Sequence, residues 1–562
     1  MKNDEVNTLS SELRVELTAL TNLELPALTS EQTPQFTTLL ACKEWLAGIA
    51  ITNASQAQAQ LLRQLELLNR FALPVEERLP IIEHLRSPIY FVHGECAKRF
   101  ALLRTALPLG ASEQAAFDAS QALWRALETG YLHTLQALLE KSANTHMPLN
   151  VEDRNEAALT ATRALTTALA IYLDHCSVGL IPGPDFWRRL HRIHFVVEHL
   201  EAAQLAVADK LAHATAVTPT ATYVEALLLA AARPHELSPK QLGDVAYWAH
   251  RWATKVPLLR FPPEDLRTPP LCIDLAGTAA AEYSTPRSAA TLRWLDLSEL
   301  RKTIRQRIVK LGEGVSPQEL KLGKGCVQPA CELLLRQVYR DWCKGGTASS
   351  SGAGKAYELV TSIEGIHYYL SGSVFRPPEQ SIYLNKRAHE EIATFGHIAT
   401  RFEEDKTQQA SYVVEDWQSL AESIADIRLQ RSLGQPGGAL TIEQLVGVRH
   451  KGDTGFQLAR FTWVALDLGT ASLCAGIRLL PGSPEAVTVI NPGSGTVKTQ
   501  HCRGFCLPSL ASLNQVATVL IPVGWFRNDH VIEIKAEFTQ RVRLTKLIER
   551  GASFDRCAYE VL

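Results

Sequence analysis

The chain has 562 residues, enough for several domains of the usual size of about 100–200 residues. Its 46% hydrophobic and 21% charged residues are the balance of a globular protein, and a net charge of -2 argues against attraction of the whole chain to a nucleic acid polymer. No uncharged apolar stretch of about 18 residues occurs, and the polar N-terminus resembles no targeting leader. We therefore expect a cytoplasmic protein without membrane insertion.

Helical periodicity dominates the first part of the chain. Apolar residues recur at the spacing of an α-helix over 34–49, 55–71, 75–85, 112–142, 151–175 and 185–213. Ala and Leu are good helix formers and fill these segments, while short connections between long helices favour antiparallel neighbours. The sequence predicts a flexible segment over 1–32 and an α-helical bundle or array over 33–215.

The pattern changes twice after the helical part. Residues 216–343 mix helix patterns with a short strand candidate at 271–275, and a Gly/Ser-rich loop follows at 344–355. Over 356–562 short alternating segments between turn residues predict strands, with one clear helix at 386–399. Many short strands are typical of a small barrel or sandwich. The predicted fold class is multidomain α plus β: a helical bundle or array, a mixed middle segment and a C-terminal small β-barrel.

The histidines give the closest approach to a metal site. His191, His194 and Glu198 share one face of the predicted 185–213 helix, at i, i+3 and i+7. The arginines that alternate with them would repel a cation, so the favoured interpretation is a solvated polar face. We predict no metal site.

Cysteine and catalytic signatures are equally sparse. The closest cysteine spacings, Cys326/Cys331 and Cys502/Cys506, match neither zinc nor redox motifs, and we expect the 11 cysteines to be reduced thiols. The glycine run that ends at Lys355 lacks the opening glycine and the hydroxyl residue of a phosphate loop, and the common hydrolase motifs do not occur. We therefore predict no catalytic residues, no cofactor and no enzyme, with a triad assembled from distant residues left open.

The C-terminal part has a more informative succession of strand patterns. Residues 417–429 have the pattern of a strand, a turn and a strand, and further strand patterns follow at 444–449, 456–463 and 475–482. This succession resembles the PilZ family of small six-stranded β-barrels, which bind the bacterial second messenger cyclic di-GMP. In that family an Arg-x-x-x-Arg segment precedes the barrel and an Asp/Asn-x-Ser-x-x-Gly turn closes on the nucleotide. The resemblance implies cyclic di-GMP as a possible ligand.

The ligand motifs of that family are degenerate in this chain. Ser423 matches the family serine, but Ala421 replaces the Asp or Asn and Asp426 replaces the Gly. The arginine pair would fall within 344–355, which contains no arginine. Guanidinium groups both stack on guanine and pair with phosphate, so nearby arginines are the natural substitutes. By position the predicted ligand-binding residues are Ser423, Arg428, Arg431, Arg449 and Arg460.

Two functional hypotheses follow. In the first, the chain is a bacterial cytoplasmic regulatory protein whose degenerate PilZ-like barrel senses cyclic di-GMP and whose helices relay the signal to a protein partner. In the alternative, it is a non-enzymatic adaptor or scaffold that has lost nucleotide binding. For the same residues the structural interpretation is an ordinary polar turn at Ser423 and core aromatics at Trp417 and Trp463.

Overall fold

The structure is a computed structural model that describes residues 18–29, 32–101, 106–145, 147–209, 211, 214–287, 289–345, 354–377, 412–492 and 499–562. The chain forms two compact units that divide between residues 348 and 349, apart from the short exchanged segments 106–108 and 467–469. We call them the helical unit and the β unit. The predicted helix at 386–399 and most of the predicted Gly/Ser loop lie outside the described residues.

The helical unit consists mainly of amphipathic helices around one large apolar core. Its described helices are α1 Leu39–Ala47, α2 Ala54–Arg70, α3 Val75–Ala101, α4 Ala111–Thr145, α5 Val151–Ser177, α6 Pro184–His199, α7 Pro219–Ala231, α8 Pro239–Trp252, α9 Ser298–Gly312 and α10 Ala330–Cys343. Its described strands are β1 Leu180–Ile181, β2 Val207–Asp209, β3 Ala214–Val217, β4 Leu258–Leu259, β5 Leu271–Asp274, β6 Glu282–Tyr283 and β7 Leu292–Leu295. β4 to β7 form a small antiparallel sheet in the order β4-β7-β5-β6.

Two helix boundaries differ from the predicted ones. The predicted helix at 75–85 continues to Ala101 through Pro80 and Pro88, because its apolar face, including Ile89 and Val92, is fully buried. The predicted helix at 185–213 ends at His199, since the residues beyond it form the antiparallel pair β2–β3. Tertiary contacts therefore overrule local propensity in both places.

A buried ion network crosses the core of the helical unit. Arg86 donates hydrogen bonds of 2.9 and 2.7 Å to the two carboxylate oxygens of Asp209. Arg163 lies 2.9 Å from the same carboxylate and also bonds Glu83 at 3.0 Å. Asp209 is fully buried, and such a charge is tolerated inside a protein only with partners of this kind.

One prediction about the cysteines is wrong. Cys326 and Cys331 form a disulfide, because the turn before α10 brings their Cα atoms to 5.2 Å, within bridging distance. The other cysteines of the described chain form no disulfide. The expectation that all 11 are reduced thiols therefore fails for this pair.

The β unit contains two six-stranded barrels, where the sequence suggested a single small barrel region. The strands of the first are β8 Ala356–Val360, β9 Glu415–Glu422, β10 Asp426–Ser432, β11 Leu445–His450, β12 Gln457–Asp467 and β13 Ser472–Leu479. Their order is β12-β11-β8-β9-β10-β13, and a further pairing of β12 with β13 closes the ring. Helix α11, Ile363–Ser371, follows β8.

The second barrel occupies the C-terminal end of the chain. Its strands are β14 Glu485–Asn491, β15 Gln500–Leu507, β16 Thr518–Pro522, β17 Val531–Lys535, β18 Thr539–Arg550 and β19 Phe554–Val561. They close in the order β14-β15-β16-β19-β18-β17. Val489, Val519 and Val542 are fully buried in its own apolar core. A separate apolar cluster joins the two barrels, with Leu458 of the first and Phe505 of the second among its members.

Candidate functional site

The predicted ligand serine lies in a tight hairpin turn of the first barrel. Ser423 connects β9 to β10, and its hydroxyl accepts a 2.9 Å hydrogen bond from the Asp426 amide and lies 3.1 Å from the Asp426 carbonyl oxygen. Asp426 in turn forms an exposed ion pair with Arg478, its register partner on β13, at 2.8 Å. The serine is thus engaged in holding its own turn.

Arg431 points into the first barrel rather than out of it. Its side chain is 3% exposed and lies 3.3 Å from Glu415, which is 1% exposed. The guanidinium also lies 5.4 Å from the ring centre of Trp417 and donates a 2.9 Å hydrogen bond to the Gln435 carbonyl. Glu415 accepts further bonds from the Trp417 indole and the Gly438 amide, each at 3.1 Å. Most polar atoms of Arg431 and Glu415 therefore have ion-pair or hydrogen-bond partners inside the barrel.

The other predicted arginines lie on different faces and strands. Arg428 is half-buried on the face of β10 opposite Arg431, because successive side chains of a strand alternate. Arg449 pairs with Glu358, its register partner on β8, at 2.6 Å, and lies 4.3 Å from the ring centre of Phe456.

Arg460 joins the two barrels. It contacts Glu443 at 2.5 Å and also pairs with Glu549 on β18. Together, Arg431, Arg449 and Arg460 are each neutralised by a carboxylate, and the alternation of β10 separates Arg428 from Arg431. The structure therefore brings the five predicted residues into one barrel but not onto one common surface, and their role toward a ligand stays a prediction.

The histidine face of α6 is buried, so the prediction that it is a solvated polar face is wrong. His191 and His194 are 0% and 1% exposed. His191 hydrogen-bonds the Tyr223 hydroxyl at 2.6 Å and the Ala279 carbonyl at 2.8 Å, and Glu198 pairs with Arg293 of β7 at 2.5 Å.

Burial lowers the pKa of both His191 and His194 to about 4 and keeps them neutral. Helix α7 covers this face, since its residues Tyr223 and Thr220 contact the two histidines, and the sequence of α6 alone does not show that. Within the described residues no cluster of His, Cys, Asp or Glu suits a metal ion.

A cleft that is lined by three arginines lies between α2 and α4. We call it the arginine groove: a cleft of about 540 Å³. Its lining residues are Pro26, Gln32, Arg63, Glu66, Leu67, Asn69, Arg70, Ala122, Arg125, Ala126 and Thr129.

Helical spacing explains how the arginine groove forms. Arg63 and Arg70 are seven residues apart and therefore lie on one face of α2, with Arg125 on the facing side of α4. All three arginines are exposed. Across the part of the chain that the structure describes, none of the three guanidiniums forms an ion pair, and Glu66 is the only carboxylate among the lining residues.

The groove also has a buried polar group in its wall. Asn69 is 4% exposed, and its amide nitrogen donates a 2.7 Å hydrogen bond to the Ala126 carbonyl. Its Oδ1 has no hydrogen-bond partner among the described residues. A buried acceptor without a partner costs about 1–3 kcal/mol. The Asn69 oxygen has no exposed surface and lies beside Gly130, so it does not face the open groove. The groove thus presents three exposed cations, which suits an anionic ligand.

The sequence reasoning missed this groove because single exposed arginines on helices are ordinary. The available signal is the spacing of Arg63 and Arg70, which places both on one helix face. That Arg125 faces them depends on how α2 packs against α4, which the spacing within either helix does not specify.

The chain is thus a multidomain protein. Its helical unit carries the arginine groove, and its β unit contains two barrels. Residues 40–264 match the family model described as the N-terminal domain of the cyclic-di-GMP receptor FimW, and residues 486–562 match the FimW C-terminal beta-barrel domain. The chain is therefore similar to this receptor in two separate parts, its helical unit and its C-terminal barrel. The expected relationship to cyclic di-GMP receptors is confirmed.

A curated relative agrees with this assignment. The cyclic-di-GMP receptor FimW of Pseudomonas aeruginosa is 27% identical over 213 residues, which cover 38% of this chain. The alignment spans only 33% of that relative's length. No solved structure gives a significant match to the chain.

The arginine groove and the predicted residues around Ser423 lie differently with respect to the two matched ranges. The arginine groove is formed mainly by residues within the range 40–264, whereas the predicted residues around Ser423 fall between the two matched ranges. The second barrel, not the first, corresponds to the FimW barrel domain.

Proposed function

We propose that this protein is a bacterial regulatory receptor that binds cyclic di-GMP in the arginine groove and relays binding to a protein partner. The observation that carries the proposal is the set of three arginines without carboxylate partners among the described residues, around a cleft inside the FimW N-terminal-type domain. The name of the relative, a cyclic-di-GMP receptor, supports the choice of ligand.

The chemistry of cyclic di-GMP fits the groups of the groove. The ligand carries two phosphodiester charges and two guanine bases. Arginine side chains can pair with the phosphates and stack on the bases. The barrel arginines that pair with carboxylates would have to break those ion pairs before they could bind an anion, and this lowers the net gain.

Calorimetric titration of the full chain with cyclic di-GMP tests the proposal. Arg63→Gln and Arg125→Gln remove groove charges while keeping good helix formers on exposed positions, so folding is preserved. Since a hydrogen bond to a charged group contributes about 1.5–3 kcal/mol, each variant is expected to weaken binding by about tenfold or more. Arg305→Gln, an exposed arginine on α9 outside the groove, is the matched control.

The alternative outcomes separate the competing functions. Loss of binding in Arg449→Gln or Arg460→Gln, with normal binding in the groove variants, would place the site on the first barrel and refute the groove. Absence of heat from the wild-type chain at high micromolar ligand would favour an adaptor that has lost nucleotide binding.

A further inference from the structure

A second cleft of the helical unit lies beside the end of α6 and is distinct from the arginine groove. It has two lobes that share Glu198. The larger lobe, about 390 Å³, includes Phe195, His199, Arg260 and Phe261. We call the whole the Glu198 cleft.

Glu198 is a fixed and ionised hydrogen-bond acceptor. Arg293 donates to it at 2.5 Å and uses its remaining nitrogen for the carbonyl oxygens of Ala290 and Leu292, at 2.9 and 2.8 Å. Burial alone would raise the pKa of Glu198, but the hydrogen bond and charge of Arg293 outweigh it and lower the pKa overall. Arg260 Nε also donates to Oε1 of Glu198, at 3.3 Å, so three N–H groups use three of the roughly four acceptor positions of the carboxylate. Two positions are open to a ligand when the exposed Arg260 side chain turns away.

The smaller lobe, about 200 Å³, contributes a buried neutral imidazole. The Thr220 hydroxyl lies 3.0 Å from the Ala203 carbonyl oxygen, to which it donates. It is therefore an acceptor for the Gln204 amide at 3.2 Å and for His194 Nε2 at 3.4 Å. This arrangement places the proton of His194 on Nε2. Its Nδ1 is then an acceptor, and it has no hydrogen-bond partner within the described chain.

The larger lobe has the surfaces that a planar ring requires. Phe195 and His199 are stacked, with ring centres 6.3 Å apart and planes 12° apart. Phe261 is 68% exposed, so its ring is accessible to a planar ligand. Arg260 has its side chain 66% exposed and touches Glu198 at 3.3 Å, so its guanidinium can turn toward a ligand.

We propose that the Glu198 cleft binds a guanine-type base, with the ring against the aromatic side chains and its two adjacent N–H groups donating to Glu198. The charges of Glu198, Glu201, Arg260 and Arg293 balance, which suits a neutral nucleoside better than a dianion. An adenine-type base presents a bare ring nitrogen at the same edge, and this nitrogen would face the carboxylate without a proton between them.

Titration of the full chain with guanosine and with adenosine tests this proposal without any variant. For a ligand of this size we expect a guanosine dissociation constant on the order of 0.1 mM. Adenosine is expected to bind about tenfold more weakly or worse, because it offers Glu198 one N–H group and a bare ring nitrogen in place of two adjacent N–H groups. Equal binding of the two nucleosides, or no binding of guanosine at several times that concentration, would overturn the proposal.

Variants then locate the guanosine. Glu198→Gln should abolish its binding, and Phe261→Ala should weaken it several-fold, with no risk to folding because the ring is exposed. Glu299→Gln, an exposed carboxylate on α9, is the control. Unchanged guanosine binding in Phe261→Ala would refute the site even if Glu198→Gln failed to fold.

The proposal stands or falls independently of the arginine groove. Arg63→Gln should leave guanosine binding unchanged while it weakens cyclic di-GMP. Loss of guanosine binding in Arg63→Gln would refute the Glu198 cleft, whereas normal cyclic di-GMP binding in that variant would refute the groove alone.

Discussion

At the scale of single residues, whether an arginine is neutralised depends on the side chains that face it. Arg63, Arg70 and Arg125 line an open groove without carboxylate partners among the described residues, while Arg431, Arg449 and Arg460 meet carboxylates. The sequence predicts the second group because those arginines lie near a recognisable turn. Which arginines are neutralised depends on cross-strand register and on helix packing, and neither can be derived from the spacing of residues along the chain.

Arg431 should act as a structural residue of the first barrel. Arg431→Gln leaves the Glu415 carboxylate buried and unpaired, and we expect a loss of about 3–5 kcal/mol in the free energy of unfolding, measured by urea denaturation. Arg478→Gln removes an ion pair that is half exposed, so it should cost less than about 1 kcal/mol. Equal effects of the two variants would indicate that Arg431 is available for a ligand.

The buried histidines should make the helical unit sensitive to acid. The pKa of His194 is lowered from 6.5 to about 4 by burial, so between these values the unfolded chain binds a proton that the folded chain does not. The contribution of His194 to the free energy of unfolding is therefore fully present above pH 6.5 and is lost as the pH decreases toward 4. His191 behaves alike, with a pKa of about 4.

A variant isolates the contribution of one histidine. One proton corresponds to a slope of about 1.4 kcal/mol per pH unit in the free energy of unfolding. His194→Gln should lower the measured slope near pH 5 by about that amount. A slope that does not change would show that the imidazole is protonated in the folded chain.

At the scale of elements, the local patterns predict where helices and strands occur. They predict less well the residues at which each element begins and ends and the elements with which it packs. The strand–turn–strand at 417–429 is present as β9 and β10, and the helical succession before residue 200 is present as α1 to α6. The strand pattern is weakest at β15 and β19, since Cys, Gly and charged residues interrupt the alternation of apolar side chains there. The closure of two barrels depends on pairing between distant strands, which has no signal in a local window.

Close packing between two strands of the first barrel gives a test of its closure. A Cβ atom on Gly476 of β13 would lie 2.1 Å from the indole nitrogen of Trp463 on β12. Gly476→Ala should therefore destabilise the β unit by about 1–3 kcal/mol, measured by thermal or urea unfolding. Gly455→Ala, where no heavy atom lies within 4 Å of the added Cβ, should change stability by less than about 0.5 kcal/mol. Equal stability of both variants would argue against the β12–β13 contact that closes the ring.

At the scale of the whole molecule, the net charge does not show where charged side chains are concentrated. A chain with a net charge of -2 still concentrates three arginines around one groove, inside the range that matches the FimW N-terminal domain. Among the described residues no helix is both long and apolar enough to cross a lipid bilayer. The two barrels differ as well: the second matches a FimW domain, while the first lies outside both matched ranges.

The most direct test of the central claim is hydrogen exchange of the full chain with and without cyclic di-GMP. Binding in the arginine groove should slow amide exchange in α2 around Arg63 to Arg70 and in α4 around Arg125, since a ligand that binds the folded state suppresses local opening. The β9–β10 hairpin around Ser423 should exchange at the same rate in both samples. Protection confined to that hairpin, or none anywhere at saturating ligand, would contradict the account.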